Sequence, residues 1–153
     1  MDIMDIMEII MEWLRGCGVI DPGKRFGVDW LGDEPGALAL AMAPSPLKWR
    51  ENLLGERCLD DAQAMDFIFA VRSDYGADPA QNLANLALCQ AVATWIAERN
   101  AAGDFPEWEG VVVTGVTPTL IGTPEAFGAG SARYEVRFRM DYRVNRPLDD
   151  MND

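Results

Sequence analysis

Residues 133–144 read RYEVRFRMDYRV, and polar and apolar residues alternate through the whole stretch. Successive side chains of a β-strand point to opposite faces of its sheet, so this period of two predicts a strand with one buried face and one polar face. The polar face carries four of the thirteen basic residues of the chain. We call this row the arginine ladder, and it consists of Arg133, Arg137, Arg139 and Arg143.

Two interpretations of the arginine ladder are open. Alternate polar residues are also what the solvated face of an antiparallel sheet shows. In favour of an interface, the chain has only two lysines, and arginine pairs with carboxylates in fixed geometry and is enriched at interfaces. A second candidate contact is formed by Lys48, Trp49 and Arg50, where a tryptophan in a predicted loop stands between two cations. The alternative for this tryptophan is that it folds back onto the core.

The composition is that of one globular domain. The 153 residues are 49% apolar and 25% charged, enough to bury a substantial core. We expect a single domain over residues 1–146 and an acidic, loose tail over 147–153. The net charge of -12 disfavours generic binding to nucleic acid or to an anionic membrane, because both attract positive surfaces. The expected partners therefore include no membrane and no sequence-specific nucleic acid.

The cysteines and the N-terminal residues indicate in which cellular compartment the protein folds. Cys17, Cys58 and Cys89 form no CxxC pair and have no histidine to join them, which favours reduced thiols over a disulfide framework or a zinc site. Acidic residues recur through the first twelve positions, unlike the basic start of a signal peptide, and no apolar run approaches membrane-spanning length. These features predict a protein of the cytoplasm, without an export signal.

The hydrophobic pattern outward from the ladder strand predicts the order α-β-β-β-α-β-β. The sequence Asp78-Pro79-Ala80-Gln81 is a helix start, with an aspartate cap, proline at the first position and a glutamine placed for a capping box. The expected fold is α/β of the α+β type, a mainly antiparallel sheet of about five strands with two helices packed on one face. The predicted elements are a helix over about 3–15, strands 26–30 and 38–42 joined by a turn, a loop over 44–64, strand 66–72, a helix from Asp78 to about 100, strand 111–116 and the ladder strand.

Residue patterns that usually indicate catalysis or metal binding are scarce in this sequence. Without histidine the chain lacks a Ser-His or Cys-His pair, and it contains neither a G-x-S-x-G elbow nor a P-loop. The acidic pairs at 33–34 and 60–61 are of the kind that is usually solvated rather than metal-bound. Trp13, Trp30, Trp95 and Cys89 fall on periodic apolar faces and are expected in the core. We therefore expect no catalytic residue, no metal and no cofactor, and hence no enzyme.

The element order and several segments together resemble the tail terminator, or tail-completion, proteins of long-tailed bacteriophages. The segments are FGVDWLG at 26–32, FIFAVRSDYG at 67–76 leading into a helix at 82–95, and ARY at 132–134. The resemblance implies a small subunit that forms a ring, typically a hexamer, on the end of the tail tube. Such a ring stops tube polymerisation and joins the head, so the implied partners are itself, the tail tube protein and the head-tail connector protein. The implied location is the virion, at the head-tail junction, after assembly in the host cytoplasm.

Three other functions stay open. Another head-tail joining or neck subunit would share the size, acidity and ring formation, and would differ in its partner. An acidic binding module, such as an inhibitor that mimics DNA, would present carboxylates to a basic protein and stay monomeric. An enzyme acting on a small molecule would need a pocket that the loop over 44–64 covers.

Overall fold

The computed structural model describes residues 2–21, 26–122, 124–126 and 130–144. The α+β class is confirmed, with two helices and a mostly antiparallel sheet. The predicted tail at 147–153 lies outside the described residues. The elements in chain order are α1 (Ile3–Leu14), β1 (Phe26–Val28), β2 (Leu38–Ala43), β3 (Trp49–Glu51), β4 (Arg57–Leu59), β5 (Ala62–Asp74), α2 (Pro79–Ala102), β6 (Val111–Ile121), β7 (Glu125–Ala126) and β8 (Ser131–Val144).

The main sheet has the order β1-β2-β5-β8-β6, with β7 paired to the start of β8. The predicted ladder strand is β8, and it lies between β5 and β6. Strands β5 and β8 pair antiparallel along all 13 residues of β5, in a register that sets Phe67 opposite Phe138 and Asp66 opposite Arg139. Because side chains alternate between faces, this register separates an aromatic face from a charged face on both strands.

Both helices cover the aromatic face. Phe67 and Phe138 stack there with ring centroids 5.4 Å apart, and Trp13 of α1 meets Trp95 of α2 at 4.8 Å. Within the described ranges, no helix lies on the opposite side of the sheet, and we call that side the helix-free face. The buried residues that form the core from the helices and the central strands include Ile6, Ile10, Leu14, Phe67, Phe69, Cys89, Val92, Ile96, Tyr134, Val136, Phe138 and Met140.

The predicted start of α2 is confirmed in its cap. Asp78 accepts a hydrogen bond from the amide of Ala80, and Pro79 occupies the first helical turn. The predicted capping box does not form, because the Gln81 amide donates to Asn85 instead. Asn85 is buried and in turn donates to the carbonyl of Asp74 at 2.7 Å, so this polar chain ties the helix to the end of β5.

The prediction that Trp30 belongs to the core is wrong, since 73% of its surface is exposed. Only Phe26 of β1 reaches the core, 6.0 Å from the ring of Phe69. Asp29 then adopts a positive φ of 56°, and a Cβ on Gly27 would lie 2.1 Å from the Trp30 carbonyl. The chain therefore turns sharply after β1, and the alternation that suggested burial breaks there. Strand β1 also pairs parallel to β2, so the two strands do not form the simple turn-linked pair that the sequence suggested.

The prediction of an irregular loop over 44–64 is also wrong. This region contains the hairpin β3–β4 and the first residues of β5, which begins at Ala62 rather than Asp66. Strands of three residues are too short to show a period in the sequence, so their pairing becomes visible only in the fold. The fourth predicted strand is likewise longer, because β6 continues through two bulges to Ile121.

Candidate interaction surfaces

The arginine ladder lies on the helix-free face, and the chain itself supplies carboxylates to most of it. Arg139 donates from Nε and Nη2 to the carboxylate of Asp66, over 3.0 and 3.3 Å. This cross-strand pair follows from the register, and its hydrogen bonds raise the pKa of Arg139 above its ordinary value. Charge-assisted pairing of this kind fixes the guanidinium in place.

Glu135 lies between two further arginines of the ladder. Its carboxylate is 3.1 Å from Nε of Arg137 and 3.5 Å from Nη2 of Arg133. All three side chains stay partly exposed, so the pairs are solvent-screened and contribute little to stability. Arg143 is exposed and, within the described residues, forms no ion pair. Three arginines of the ladder are therefore paired with carboxylates of the same sheet, and Arg143 carries a charge that no ion pair of the described residues offsets.

The hairpin β3–β4 forms a separate two-stranded sheet, and we call residues 47–60 the hairpin arm. Trp49 pairs with Leu59, and the guanidinium of Arg57 lies 4.7 Å from the centre of the Trp49 ring. The tryptophan is 46% exposed, so it does not fold back onto the core. Lys48 and Arg50 are exposed beside it. All three residues predicted as the second contact thus lie on the arm.

The base of the hairpin arm is held by the buried side chain of Gln63. Its Oε1 accepts from the amide of Lys48 at 3.0 Å. Its Nε2 donates to the carbonyls of Lys48 and Asp60 at 2.9 and 2.8 Å. One glutamine therefore ties both ends of the arm to the first residues of β5. These hydrogen bonds fix the direction in which the arm leaves the main sheet.

The tip of the hairpin arm displays two leucines. Asn52 closes the turn, because its Oδ1 accepts from the amides of Leu54 and Glu56, and Gly55 takes the positive φ that the turn needs. Leu53 is fully exposed and Leu54 is 82% exposed. The sequence interpretation missed these leucines. The sequence signal that could have revealed them is the Asn-Leu-Leu-Gly stretch at 52–55, which is typical of a turn. It lies between two short segments, 49–51 and 57–59, that each carry a cation beside an apolar residue.

A groove rich in methionine runs between α1 and the β1–β2 edge of the sheet. Its cavity is about 450 Å³ and mostly apolar. Methionine side chains are flexible and polarizable, which suits them to irregular partners. We call this feature the methionine groove, and it is lined by Ile3, Met4, Met7, Glu8, Met11, Val28, Asp29 and Met42.

The arginine ladder and the predicted contact at Lys48, Trp49 and Arg50 are not brought into one site. Within the described ranges, no ion pair or hydrogen bond links the two. The two surfaces are instead a charged face of the main sheet and an arm that forms a sheet of its own. Each of the two surfaces is therefore a separate candidate for an intermolecular contact.

The acidic pairs noted in the sequence have structural partners. Asp33 lies 3.9 Å from the buried guanidinium of Arg72, and Asp60 accepts from the amide of Ala62. The described part of the chain holds no group of three or more side chains placed to bind a metal ion. All three cysteines are free, and burial raises the pKa of the Cys89 thiol to about 11. Neither α1 nor α2, the helices of the described ranges, has the length and apolarity that crossing a membrane requires.

No protein-family model matches the chain, and no curated protein matches it.

Proposed function

We propose that this chain is a structural subunit of a phage virion, a tail terminator that forms a ring on the end of the tail tube. The ring stops tube growth and offers the surface that joins the head connector. The proposal starts from the resemblance carried by residues 26–32, 67–76 and 132–134. It includes no catalytic activity and no cofactor.

The observation that carries the proposal is the one-sided layering of the fold. Both helices pack on one face of the sheet, and the other face carries the arginine ladder open to solvent. The observed order keeps the two helices and the five long-sheet strands of the order that the sequence predicted, with the hairpin β3–β4 and the short strand β7 added. A ring requires two different contact surfaces on each subunit, because heterologous association closes by rotation. The ladder and the hairpin arm meet that requirement as distinct surfaces.

The first test is absolute mass by light scattering behind size-exclusion chromatography, at low and high protein concentration and at low and moderate salt. We expect a species near six times the 16.9 kDa monomer, or a mass that rises toward it with concentration. Electron microscopy of that species should show closed rings. A strict monomer that binds a basic protein would favour the acidic binding module instead.

The capping role is tested with tail tubes. The chain is expressed together with the tube protein of the phage or prophage that encodes it, and tube lengths are measured by negative-stain microscopy. Tubes of limited length with this chain at one end support the terminator. Tubes of unlimited length, with the chain bound to the portal side, would favour a neck subunit.

The role of the arginine ladder in assembly is tested by reversing the charge of its residues. Reversal of Arg137 and Arg139 to glutamate should weaken assembly, but the structure shows that it would also set new carboxylates against Glu135 and Asp66. Arg143→Glu is the cleaner probe, because that exposed side chain forms no ion pair within the described residues. Surface substitutions of this kind usually change stability little.

The matched control is Arg99→Gln on the helix side, where Arg99 pairs with Asp104. We expect Arg143→Glu to lower the oligomer mass at moderate salt and the control to leave it unchanged. An unchanged mass in Arg143→Glu and in the Arg137→Glu, Arg139→Glu double variant would remove the ladder from the interface.

A further inference from the structure

The outer side of α2 carries no charge over most of its length. The helix turns its other side to the core, where Asn85, Cys89, Val92 and Ile96 are buried. Residues 79–97 contain no aspartate, glutamate, lysine or arginine, although 25% of the chain is charged. At that frequency these 19 residues would hold about five charged side chains. The pattern is unusual for a helix at the surface, because charged residues normally occupy the side opposite the core.

We call the outward side of residues 79–97 the uncharged face. Its most exposed large apolar side chain is Leu83, at 65%, and several of its other exposed positions are alanine, among them Ala84 and Ala87. Helix α1 shows the ordinary pattern, since its outward side carries exposed carboxylates at positions 5, 8 and 12. The difference between the two helices indicates that the uncharged face serves a contact rather than hydration.

Apolar side chains extend the uncharged face on both flanks. Leu86 is 41% exposed on one flank. On the other flank, an open cavity of about 460 Å³ lies between α2 and the segment after α1. Ala91, Thr94 and the 45% exposed Val19 are among the residues that line it. The exposed leucines therefore lie on the N-terminal half of the face, and the cavity lies beside its C-terminal half.

The lack of charge favours a second copy of this chain as the partner. A two-fold contact brings identical faces together, so any charge on the face would come close to the same charge of the other copy. The net charge of -12 makes two copies repel each other wherever carboxylates meet. A basic partner would instead be attracted by carboxylates, and residues 79–97 supply none. The face thus suits a copy of itself better than an oppositely charged protein.

We infer that the uncharged face of one copy packs antiparallel against the uncharged face of a second copy, around a two-fold axis near Leu88, the centre of the stretch. Antiparallel pairing then sets Leu83 of one copy opposite position 93 of the other. That position adjoins the cavity lined by Ala91 and Thr94, so each copy gives a leucine and receives one. The inference goes beyond the proposed function and does not rest on it, because such a pair forms with or without a ring.

The size of the face sets the expected strength of the contact. A helix of 24 residues is about 36 Å long and about 10 Å wide, so the face covers roughly 360 Å² per copy before its flanks are added. This lies at the low end of specific interfaces. We therefore expect a dissociation constant in the micromolar range.

The first experiment measures association at high salt. At about 1 M sodium chloride contacts between charged surfaces, such as the arginine ladder, are screened, whereas an apolar contact persists. Sedimentation equilibrium across the micromolar range should give a mass that rises from 16.9 kDa toward twice that value.

The second experiment places a charge beside the two-fold axis. Ala87 is exposed and comes close to its own copy there, so Ala87→Glu should raise the dissociation constant roughly 100-fold through repulsion between identical carboxylates. Ala87→Lys should do the same, and an equimolar mixture of the two variants should restore a 1:1 dimer. The matched control is Ala101→Glu, an exposed alanine of the same helix beyond the uncharged stretch, which should leave the mass unchanged.

The third experiment locates the contact by cross-linking. Cys58 is first replaced by serine, which leaves only the buried Cys17 and Cys89. Ala87→Cys is then added in one variant and Ala101→Cys in another. Antiparallel packing sets the two copies of position 87 side by side but separates the two copies of position 101 by about 39 Å along the helix. We expect a disulfide-linked dimer on oxidation of the first variant and none of the second.

The outcomes separate this contact from the proposed function. The contact is overturned by a monomer at every concentration at high salt, by an unchanged mass in Ala87→Glu, by a mixture that stays monomeric, or by equal cross-linking at position 101. Rings that form at low salt in Ala87→Glu leave the terminator proposal standing. A high-salt dimer with a disulfide at position 87, in a chain that never limits tube length, supports the contact and refutes the terminator.

Discussion

Gln63→Met should release the base of the hairpin arm while keeping the side-chain volume. Three hydrogen bonds of 2.8 to 3.0 Å disappear, one from the amide of Lys48 and two to the carbonyls of Lys48 and Asp60. Each such bond contributes about 0.5–1.5 kcal/mol net. The Lys48 carbonyl keeps a second partner in the amide of Asp60, and water can reach the exposed arm, so the low half of that range applies. We expect the free energy of unfolding to fall by about 2 kcal/mol.

The effect should be concentrated in the arm. The amides of Asn52 and Asp60, which bond to Glu56 and Lys48 across the hairpin, report on its opening. A local loss of about 2 kcal/mol corresponds to a roughly thirtyfold faster hydrogen exchange at these amides. Amides at the centre of β5 and β8 should change only as far as global unfolding does.

Urea denaturation and hydrogen exchange measured by NMR give the two quantities. The control is Gln90→Met, because Gln90 is exposed on α2 and its substitution should stay within about 0.5 kcal/mol. If Gln63→Met left the exchange of both arm amides and the unfolding free energy at their original values, the glutamine would not hold the arm, and the fixed exit that we attribute to it would be refuted.

Two further predictions concern the core. Phe138→Ala removes a fully buried ring that stacks on Phe67 and lies 6.4 Å from Trp13, so it should lower the free energy of unfolding by about 3–5 kcal/mol in urea denaturation, whereas an unchanged value would contradict this packing. Burial raises the pKa of Cys89 from 9.0 to about 11, so the unfolded chain loses this proton first and stability should fall as the pH rises from about 9 to 11. Unfolding measured across that range should show a shallower decline in Cys89→Ala than in the wild type, and equal slopes would remove Cys89 as the cause; the raised pKa of Tyr142 adds a decline of the same sign in both proteins.

The strongest sequence patterns correctly predicted individual helices and strands. The alternation over 133–144 predicted β8, and the cap at Asp78 predicted α2, because a strand period and a helix cap are set by neighbouring residues. The register of β5 and β8 could not be predicted, although it decides that Asp66 faces Arg139. Pairing between distant strands depends on the whole sheet rather than on either segment.

The hairpin arm shows the same limit in the candidate site. Lys48, Trp49 and Arg50 stood out by residue type, but the leucines at the tip did not, since a leucine in the sequence usually indicates core. Trp30 misled in the opposite direction, because its alternation with Phe26 suggested a strand that in fact ends at Val28. Whether an apolar residue is buried depends on the direction that the backbone takes after each turn, which the sequence pattern does not show.

The sequence by itself determined the α+β class, the two helices, the ladder strand and the scarcity of catalytic residue types, since these depend on composition and on short-range periods. Only the tertiary structure decided which carboxylates meet the ladder, that residues 47–60 project as an arm held by Gln63, and that a methionine groove forms beside α1. These features join residues far apart in the chain. Their physical cause is the packing of both helices on one face of the sheet, which leaves the other face and the arm exposed.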